Sequence, residues 1–251
     1  MDNQKYITET IKLMQNHRSI RKFTKDQIPK EQIVEIVKAA QGAATSNFVQ
    51  AYSLVMVTDP IKKEQLSELS NHQQQIIDAP VFFVFCADMK RLEFATGKHD
   101  IPMQYDTLEN FIVSIVDTSL FAENFLTAAE SLGYGGCYIG GIRNNPKQVS
   151  DLLNLPDKVM PIFGMTLGVP AENHEVKPRL PIDAILHENE YTTENYQRLL
   201  DQYDDIFRDY YKTRTSNAKD MTWTQTMATF FSQKKRTHMK EFVETKGFHL
   251  Y

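Results

Sequence analysis

The segment His17-Arg18-Ser19-Ile20-Arg21-Lys22-Phe23 places two arginines, a serine and a histidine together, shortly before a turn at Ile28-Pro29. Arginine offers a planar fork of donors that suits a phosphate group, and the short Ser19 side chain lets an anion approach the backbone. We therefore predict that Arg18 and Arg21 converge on one anion. Judged from residue types alone, a solvated basic turn at the surface is an equally good interpretation.

Composition excludes several classes of protein. The 251-residue chain has a net charge of −4, which argues against a general nucleic-acid binder. Its two cysteines, Cys86 and Cys137, are too far apart for a CxxC pair or a metal knuckle, so we predict no metal site. The N-terminus lacks the apolar core of a signal peptide, and the apolar run at 81–87 is too short to span a bilayer. We expect a soluble cytoplasmic protein with neither nucleic acid nor membrane as a partner.

Hydrophobic periodicity predicts alternating helices and strands along a single domain, residues 1–251, with a basic C-terminal excursion at about 205–251. Because the strand at 81–87 is apolar on both faces, it should be the central strand of a covered sheet. The order of elements allows either an α+β or an α/β fold. The predicted helices cover 3–15, 30–41, 61–69, 110–132, 147–153 and 193–211, and the predicted strands cover 52–58, 81–87, 136–140 and 160–169.

The predicted helix at 110–132 has a wide apolar face, so we expect it to be buried nearly all round. Asp117 and Glu123 lie within it, and we predict that both are buried carboxylates that accept hydrogen bonds from neighbouring groups. Residues 90–108 have a polar, irregular pattern, which favours a mobile helical or loop region.

Three stretches, in this order, resemble the nitroreductase family of FMN-dependent NAD(P)H oxidoreductases, and in particular its NADPH-dependent nitroreductase A and flavin reductase P branch. They are His17 to Phe23 with the following Thr24, residues 129–144 (AESLGYGGCYIGGIRN), and Lys177-Pro178-Arg179-Leu180-Pro181. The resemblance implies an α+β fold of three layers, with a mostly antiparallel central sheet between helices. It also implies an intertwined homodimer, with two FMN sites at the interface and the 110–132 helix buried between the subunits.

The resemblance further implies where FMN binds. A first clamp on the FMN phosphate would come from the opening motif and a second from the Lys177 stretch, so that the two bracket one dianion. The loop at 45–47 would contact the flavin ring, a glutamine would bond its edge, and the backbone after Tyr138 would border its reactive edge. The residues carried over are His17, Arg18, Ser19, Arg21, Thr45, Ser46, Asn47, Gln73, Tyr138, Ile139, Gly140, Gly141, Lys177 and Arg179.

The implied reaction is a ping-pong transfer in which NADPH delivers hydride to FMN and a second substrate then takes the electrons. Arg214 and Lys219 match basic positions that meet the 2′-phosphate of NADPH, and Arg236 resembles a third basic position beside the pocket. No protein acid or nucleophile is predicted, because the cofactor carries the chemistry. Nitroaromatics, quinones, free flavin and small disulfides are plausible acceptors. The alternatives are a same-fold FMN enzyme of another reaction type, such as dehydrogenation or flavin fragmentation, and a flavin or nucleotide sensor without turnover.

Overall fold

The computed structural model describes residues 6–214 and 218–249. Contacts divide the chain into two units, Met1–His174 with Arg236–Tyr251, and Glu175–Lys235. The helices of the described residues are α1 (Glu9–Gln15), α2 (Lys30–Ala40), α3 (Pro60–Leu69), α4 (Gln74–Asp78), α5 (Lys90–Gly97), α6 (Leu108–Ser131), α7 (Pro146–Leu152), α8 (Tyr196–Thr213), α9 (Trp223–Phe231) and α10 (Met239–Thr245). The strands are β1 (Tyr52–Val57), β2 (Val81–Asp88), β3 (Gly135–Ile139) and β4 (Val159–Gly168).

The sheet of the first unit is antiparallel throughout, in the order β1-β2-β4-β3. Every residue of β2 is buried, which confirms the prediction of a central strand. Its side chains alternate between two cores: Phe83 and Phe85 face the helices α2 and α6, whereas Phe82 and Val84 face the opposite layer, which includes α3 and α7. The predicted α+β class with a sheet between helices is confirmed.

Helix α6 packs on the sheet through aromatic side chains. Phe125 meets Phe83 edge-on at 4.9 Å between ring centroids, and Phe121 stacks on Tyr52 at 4.3 Å. Length and apolar composition alone would allow this helix to cross a membrane, but this face of it belongs to the core of the unit. The opposite face is not buried within the chain, so the prediction of burial nearly all round is wrong for a single subunit.

Other boundaries differ from the sequence-based predictions. The described part of the N-terminal helix begins only at Glu9, and no residue of α1 is buried within the chain, so its apolar stripe does not serve the core as expected. Residues 90–97 form α5, and an irregular segment then leads to α6. Helix α9 was not predicted. It begins with a capping box, in which Thr222 and Gln225 satisfy each other's backbone N–H groups.

The second unit is built on α8 and α9. Trp223 meets Tyr203 at 5.8 Å between ring centroids, and Asp204 accepts a hydrogen bond of 2.9 Å from the Thr224 backbone. The acids along α8 interleave with an apolar stripe that is buried at Leu199, Tyr203 and Phe207. This helix therefore confirms the prediction for 193–211, shifted by two or three residues at each end.

Candidate functional site

The segment His17–Phe23 lies beside strand β3 and is held there through its backbone. The Ile20 N–H donates to the Gly136 carbonyl at 2.9 Å, and the Lys22 carbonyl accepts from Ala171 at 2.9 Å. Gly135 makes room for this packing, since a Cβ there would lie 2.5 Å from Ile20 Cγ1.

One carboxylate fixes the turn at Arg21. Glu172 accepts hydrogen bonds from the backbone N–H groups of Arg21, at 2.8 Å, and Lys22, at 3.2 Å, and pairs with His174 at 3.0 Å. Burial on its own would raise the pKa of Glu172, but these donors outweigh it and the pKa of this carboxyl is lowered. The acid therefore fixes the backbone at Arg21 and Lys22.

A polar cleft of about 310 Å³ brings together predicted residues from four separate stretches of the chain. Arg21 comes from the opening motif, Gln73 from the start of α4, Tyr138 to Gly141 from the end of β3, and Arg236 from the segment before α10. Arg236 was assigned to NADPH from the sequence, but it lines the cleft that holds the residues predicted for FMN. The cleft is also lined by Ser70, Asn71, Gln75, Cys137 and Asn144.

Other members of the opening motif face elsewhere. Arg18 donates to the side-chain and backbone oxygens of Asn16, at 2.7 and 3.0 Å, and lines a second cleft with Glu130 and Glu172. His17 Nδ1 lies 2.7 Å from the Glu130 carboxylate. Arg18 and Arg21 therefore line different clefts.

The cleft carries positive charge without matching acids. Among the described residues, arginine ion pairs are formed by Arg91 and Arg208 only, which leaves Arg21, Arg143 and Arg236 without a carboxylate partner. Arg236 Nε donates to Asn144 at 2.9 Å, and Arg143 donates to the Ile162 carbonyl. Burial, and then the charge of Arg236, lowers the pKa of Arg143. Unpaired guanidinium groups at a polar cleft are suited to bind an anion.

The glycine pair after β3 has a packing role. A Cβ on Gly141 would lie 2.7 Å from the Ser70 carbonyl oxygen, and one on Gly140 would lie 3.1 Å from Arg143. The sequence-based interpretation, in which these glycines clear space for a planar ligand, omitted this constraint. The close approach of Ser70 is what requires a residue without a side chain at position 141.

The loop at 45–51 is held by a buried acid on α6. Asp117 is fully buried and accepts hydrogen bonds of 3.0 Å from the backbone N–H groups of Ser46 and Ala51, one to each carboxylate oxygen. Its predicted role is confirmed. Between these two anchors Asn47, Phe48 and Gln50 have positive φ, a conformation that non-glycine residues seldom adopt. Glu123, in contrast, is exposed within the chain, although it does accept a hydrogen bond from Tyr138 at 3.3 Å.

Burial suppresses the acidity of the side chains on β3. It raises the pKa of the Cys137 thiol, even though Arg21 and Ser19 act in the opposite direction, and it also raises the pKa of Tyr138. A thiol of raised pKa is a poor nucleophile at neutral pH. The prediction that Cys137 is not a catalytic thiol agrees with this environment, and the same cause raises the pKa of the core thiol Cys86 to about 12.

The remaining predicted residues belong to the second unit. The Lys177 ammonium lies 5.1 Å from the Phe207 ring centroid and 5.3 Å from that of Tyr211. The Arg214 guanidinium lies 5.6 Å from the ring centroids of both Tyr210 and Tyr211. The Lys219 backbone N–H donates to the Tyr211 carbonyl at 3.2 Å, and Arg179 is exposed. The loop residues Thr215 to Asn217 lie outside the described residues.

Family models and known proteins match almost the whole chain. Residues 14–169 match the nitroreductase family, and residues 177–251 match the C-terminal domain of that family. The chain belongs to the nitroreductase family. A Cr(VI) reductase of Pseudomonas sp. strain G-1 is 51% identical over 94% of this chain and 97% of its own length. The NADPH-dependent FMN reductase of Bacillus subtilis strain 168 is 43% identical over 96% and 99%. The solved NfrA1 nitroreductase of B. subtilis superposes with a TM-score of 0.91, at 42% identity over 96% and 99%.

Among residues that the sequence did not single out, Asn144 and Ser70 line the cleft, and Arg143 lies next to it, beside Gly140. Arg143 lies in the stretch that resembles the nitroreductase family, two residues after Gly141. The prediction for that stretch concerned the backbone of the glycines and not the guanidinium of Arg143. Asn144 orients Arg236, and Ser70 contributes the backbone beneath Gly141. A count of basic residues next to glycine-rich segments would have found Arg143. No sequence signal marks Ser70, because its place depends on the packing of α3.

Proposed function

We propose that this protein is an FMN-dependent NADPH oxidoreductase that reduces small acceptors. The observation that carries the proposal is the polar cleft, where Arg21, Gln73, the Tyr138–Gly141 backbone and Arg236 meet in a chain of the nitroreductase family. When bound, FMN accepts hydride from NADPH and passes the electrons to the acceptor. The protein binds and orients the two partners.

The residues of the first unit fit FMN in two respects. The unpaired guanidinium of Arg21 is suited to the dianionic phosphate, and Gln73 offers an amide to the edge of a flavin ring. Among the described residues, the buried hydroxyl oxygens of Thr45 and Ser70 have no hydrogen-bond partner, and a polar ligand would satisfy them. We assign Ser19, Ser46 and Asn47 as further cofactor contacts, and Lys177 and Arg179 as phosphate contacts, but not His17 and Arg18, which face the second cleft.

The unpaired positive charge favours acceptors that carry negative charge. Chromate is such an acceptor, and the relative from Pseudomonas sp. strain G-1 is a Cr(VI) reductase. Cr(VI) takes three electrons to reach Cr(III), so three NADPH molecules would be consumed for every two chromate ions. Nitroaromatics, quinones, free flavin and small disulfides complete the proposed acceptors.

We also propose a homodimer. Ile112, Val116 and Leu120 recur every fourth residue on α6, and each is 44–47% exposed in the single chain. A continuous apolar stripe on a long helix suits burial against a second copy. We expect the enzyme to work in the cytoplasm, where NADPH is supplied and where two unpaired cysteines stay reduced.

The purified protein tests the function directly. We expect a yellow protein whose absorbance near 450 nm bleaches under anaerobic conditions when NADPH is added and returns when a quinone or chromate follows. A yellow protein that NADPH does not bleach would support the sensor alternative. A colourless protein with no affinity for FMN would exclude every flavin-dependent function.

A further inference from the structure

Two cations of the second unit lie over one aromatic ring, that of Tyr211, and a third basic residue is bonded to the Tyr211 backbone. The Lys177 ammonium and the Arg214 guanidinium lie 5.3 and 5.6 Å from the ring centroid, and Lys219 donates its backbone N–H to the Tyr211 carbonyl at 3.2 Å. Lys177 and Arg214 come from two separate stretches of the chain. A cation within about 6 Å of an aromatic face is attracted by the negative face of the ring.

Acidic side chains do not compensate these three cations. Among the described residues, Asp220 pairs with Arg208 at 3.4 Å and with Lys212 at 3.2 Å, and no carboxylate pairs with Lys177, Arg214 or Lys219. Asp220 is thus paired with two other cations, both on α8. The cluster keeps its positive charge available for an anionic ligand.

The Tyr211 ring is itself held in place. Phe207, which is buried, packs against it at 4.7 Å between centroids, and Lys177 also lies over Phe207. Tyr210, the neighbouring residue, contacts Arg214 but not Lys177, and its hydroxyl donates to the Glu175 carbonyl at 3.3 Å. Tyr211 is therefore the side chain that Lys177 and Arg214 share.

We propose that Tyr211 is a positioning residue whose ring holds Lys177 and Arg214 as one pair of cations and thereby sets the preference for phosphate-bearing ligands. The proposal rests on the proposed function, which supplies the ligands: FMN, against riboflavin, and NADPH, against NADH. Each pair differs by one phosphate group. Tyr211 touches neither reacting atom, so its loss acts through the placement of the cations and not on the chemical step.

The test uses the full-length, FMN-loaded protein and three variants: Tyr211→Leu, Tyr211→Phe and Tyr210→Leu. Calorimetry measures NADP⁺ and NAD⁺ binding, and kinetics measure KM and kcat for NADPH and NADH. We expect Tyr211→Leu to weaken NADP⁺ binding about tenfold, as expected for loss of an ordered cation pair, while NAD⁺ binding and kcat change less than about twofold. Tyr211→Phe keeps the ring and should behave like the wild type.

The matched control separates the two cations. Tyr210→Leu removes a cation contact to Arg214 but none to Lys177, together with the ring contact of 5.3 Å to Tyr211 and the hydrogen bond to Glu175. It should therefore weaken NADP⁺ binding and leave the ratio of FMN to riboflavin affinity in the deflavinated chain unchanged. Tyr211→Leu should lower that ratio as well, because it also releases Lys177. A Tyr211→Leu variant with wild-type ratios for both ligand pairs would overturn the proposal, as would equal losses in Tyr211→Leu and Tyr211→Phe.

If Tyr211→Leu does not fold, phenylalanine with one to three ring fluorines at position 211 replaces it, since fluorination weakens the attraction for cations at nearly constant shape. NADP⁺ affinity should then fall stepwise with fluorine number, and a constant affinity would overturn the proposal. Failure of the proposed function is distinguishable: the wild-type protein itself would then not be bleached by NADPH. Wrongly assigned cations would be revealed by Lys177→Ala and Arg214→Ala variants with unchanged ligand ratios.

Discussion

At the residue scale, Arg21 is the guanidinium of the opening motif that faces the polar cleft, and it lacks a carboxylate partner. Arg21→Ala should weaken FMN binding by about 1.5–3 kcal/mol, the size of one charge-assisted hydrogen bond to a dianion. Riboflavin, which lacks the phosphate, should lose little. Fluorescence titration of the deflavinated protein with each ligand measures both affinities.

Lys22→Ala is the matched control for this prediction. Lys22 is the adjacent basic residue, is similarly exposed, and does not line the cleft, so its loss changes net charge by the same amount at the same place. FMN affinity should stay within about twofold of the wild type, as for a screened surface charge. Equal losses of FMN and riboflavin in Arg21→Ala would show that this residue does not hold the phosphate.

Glu172 gives a second residue-scale prediction, which concerns pH. Its folded pKa is lowered from the usual 4.5, so the unfolded chain binds more protons in this range. The carboxylate therefore stabilises the fold fully above about pH 4.5, and this contribution is lost as the pH falls through the lowered value. Thermal unfolding of wild type and Glu172→Gln should differ at pH 7, and the difference should shrink as the pH falls below about 4.5. A difference that stays constant over that range would contradict this role.

Residue identity alone predicted only part of the site. Arg21, Gln73 and Tyr138 lie at one cleft because local motifs specify them, but Arg18 lies at another, since spacing along the chain does not give the path of the backbone between the two arginines. At Gly141 the sequence did not reveal the packing constraint, because the Ser70 carbonyl comes from a distant helix. Contacts between segments far apart in sequence have no local signature.

At the element scale, α6 holds the predicted flavin loop through Asp117. Asp117→Asn replaces a carboxylate that accepts two backbone N–H groups with an amide that can accept only on its oxygen, so one buried donor loses its partner. We expect a loss of about 2–4 kcal/mol in the free energy of unfolding, together with weaker FMN binding. Urea denaturation at fixed protein and FMN concentration measures the loss.

The same helix supplies the control. Glu109→Gln, in the exposed first turn of α6, removes an acid without a buried partner and should cost less than about 0.5 kcal/mol. Comparable stability of Asp117→Asn and Glu109→Gln would mean that the loop does not depend on the carboxylate.

The helices and strands themselves were largely predictable from hydrophobic periodicity. Helix α9 was not predicted. The sequence of this segment was interpreted through its basic charge, whereas its Thr222–Gln225 capping box indicates the start of a helix.

At the scale of the whole molecule, one face of α6 is left over once the chain has folded. The core uses Phe121 and Phe125, while Ile112, Val116 and Leu120 stay 44–47% exposed on the other face. The sequence indicated an unusually apolar helix, but only the fold separates the residues that pack within this chain from those that stay exposed on it. A permanent dimer should bury more than about 2,000 Å² in total.

Val116→Glu tests this assembly, because it places a charge at the centre of the exposed stripe, and an uncompensated charge in a dry interface costs several kcal/mol. Sedimentation velocity should show a dimer for the wild type and a monomer for Val116→Glu, with reduced FMN content because the two sites are proposed to lie at the interface. The control is Val34→Glu on α2, where the valine is 43% exposed against 47% for Val116, and this variant should remain dimeric and yellow. A Val116→Glu protein that is still dimeric would place the interface elsewhere, and a monomer that keeps its flavin would show that one chain suffices to bind FMN.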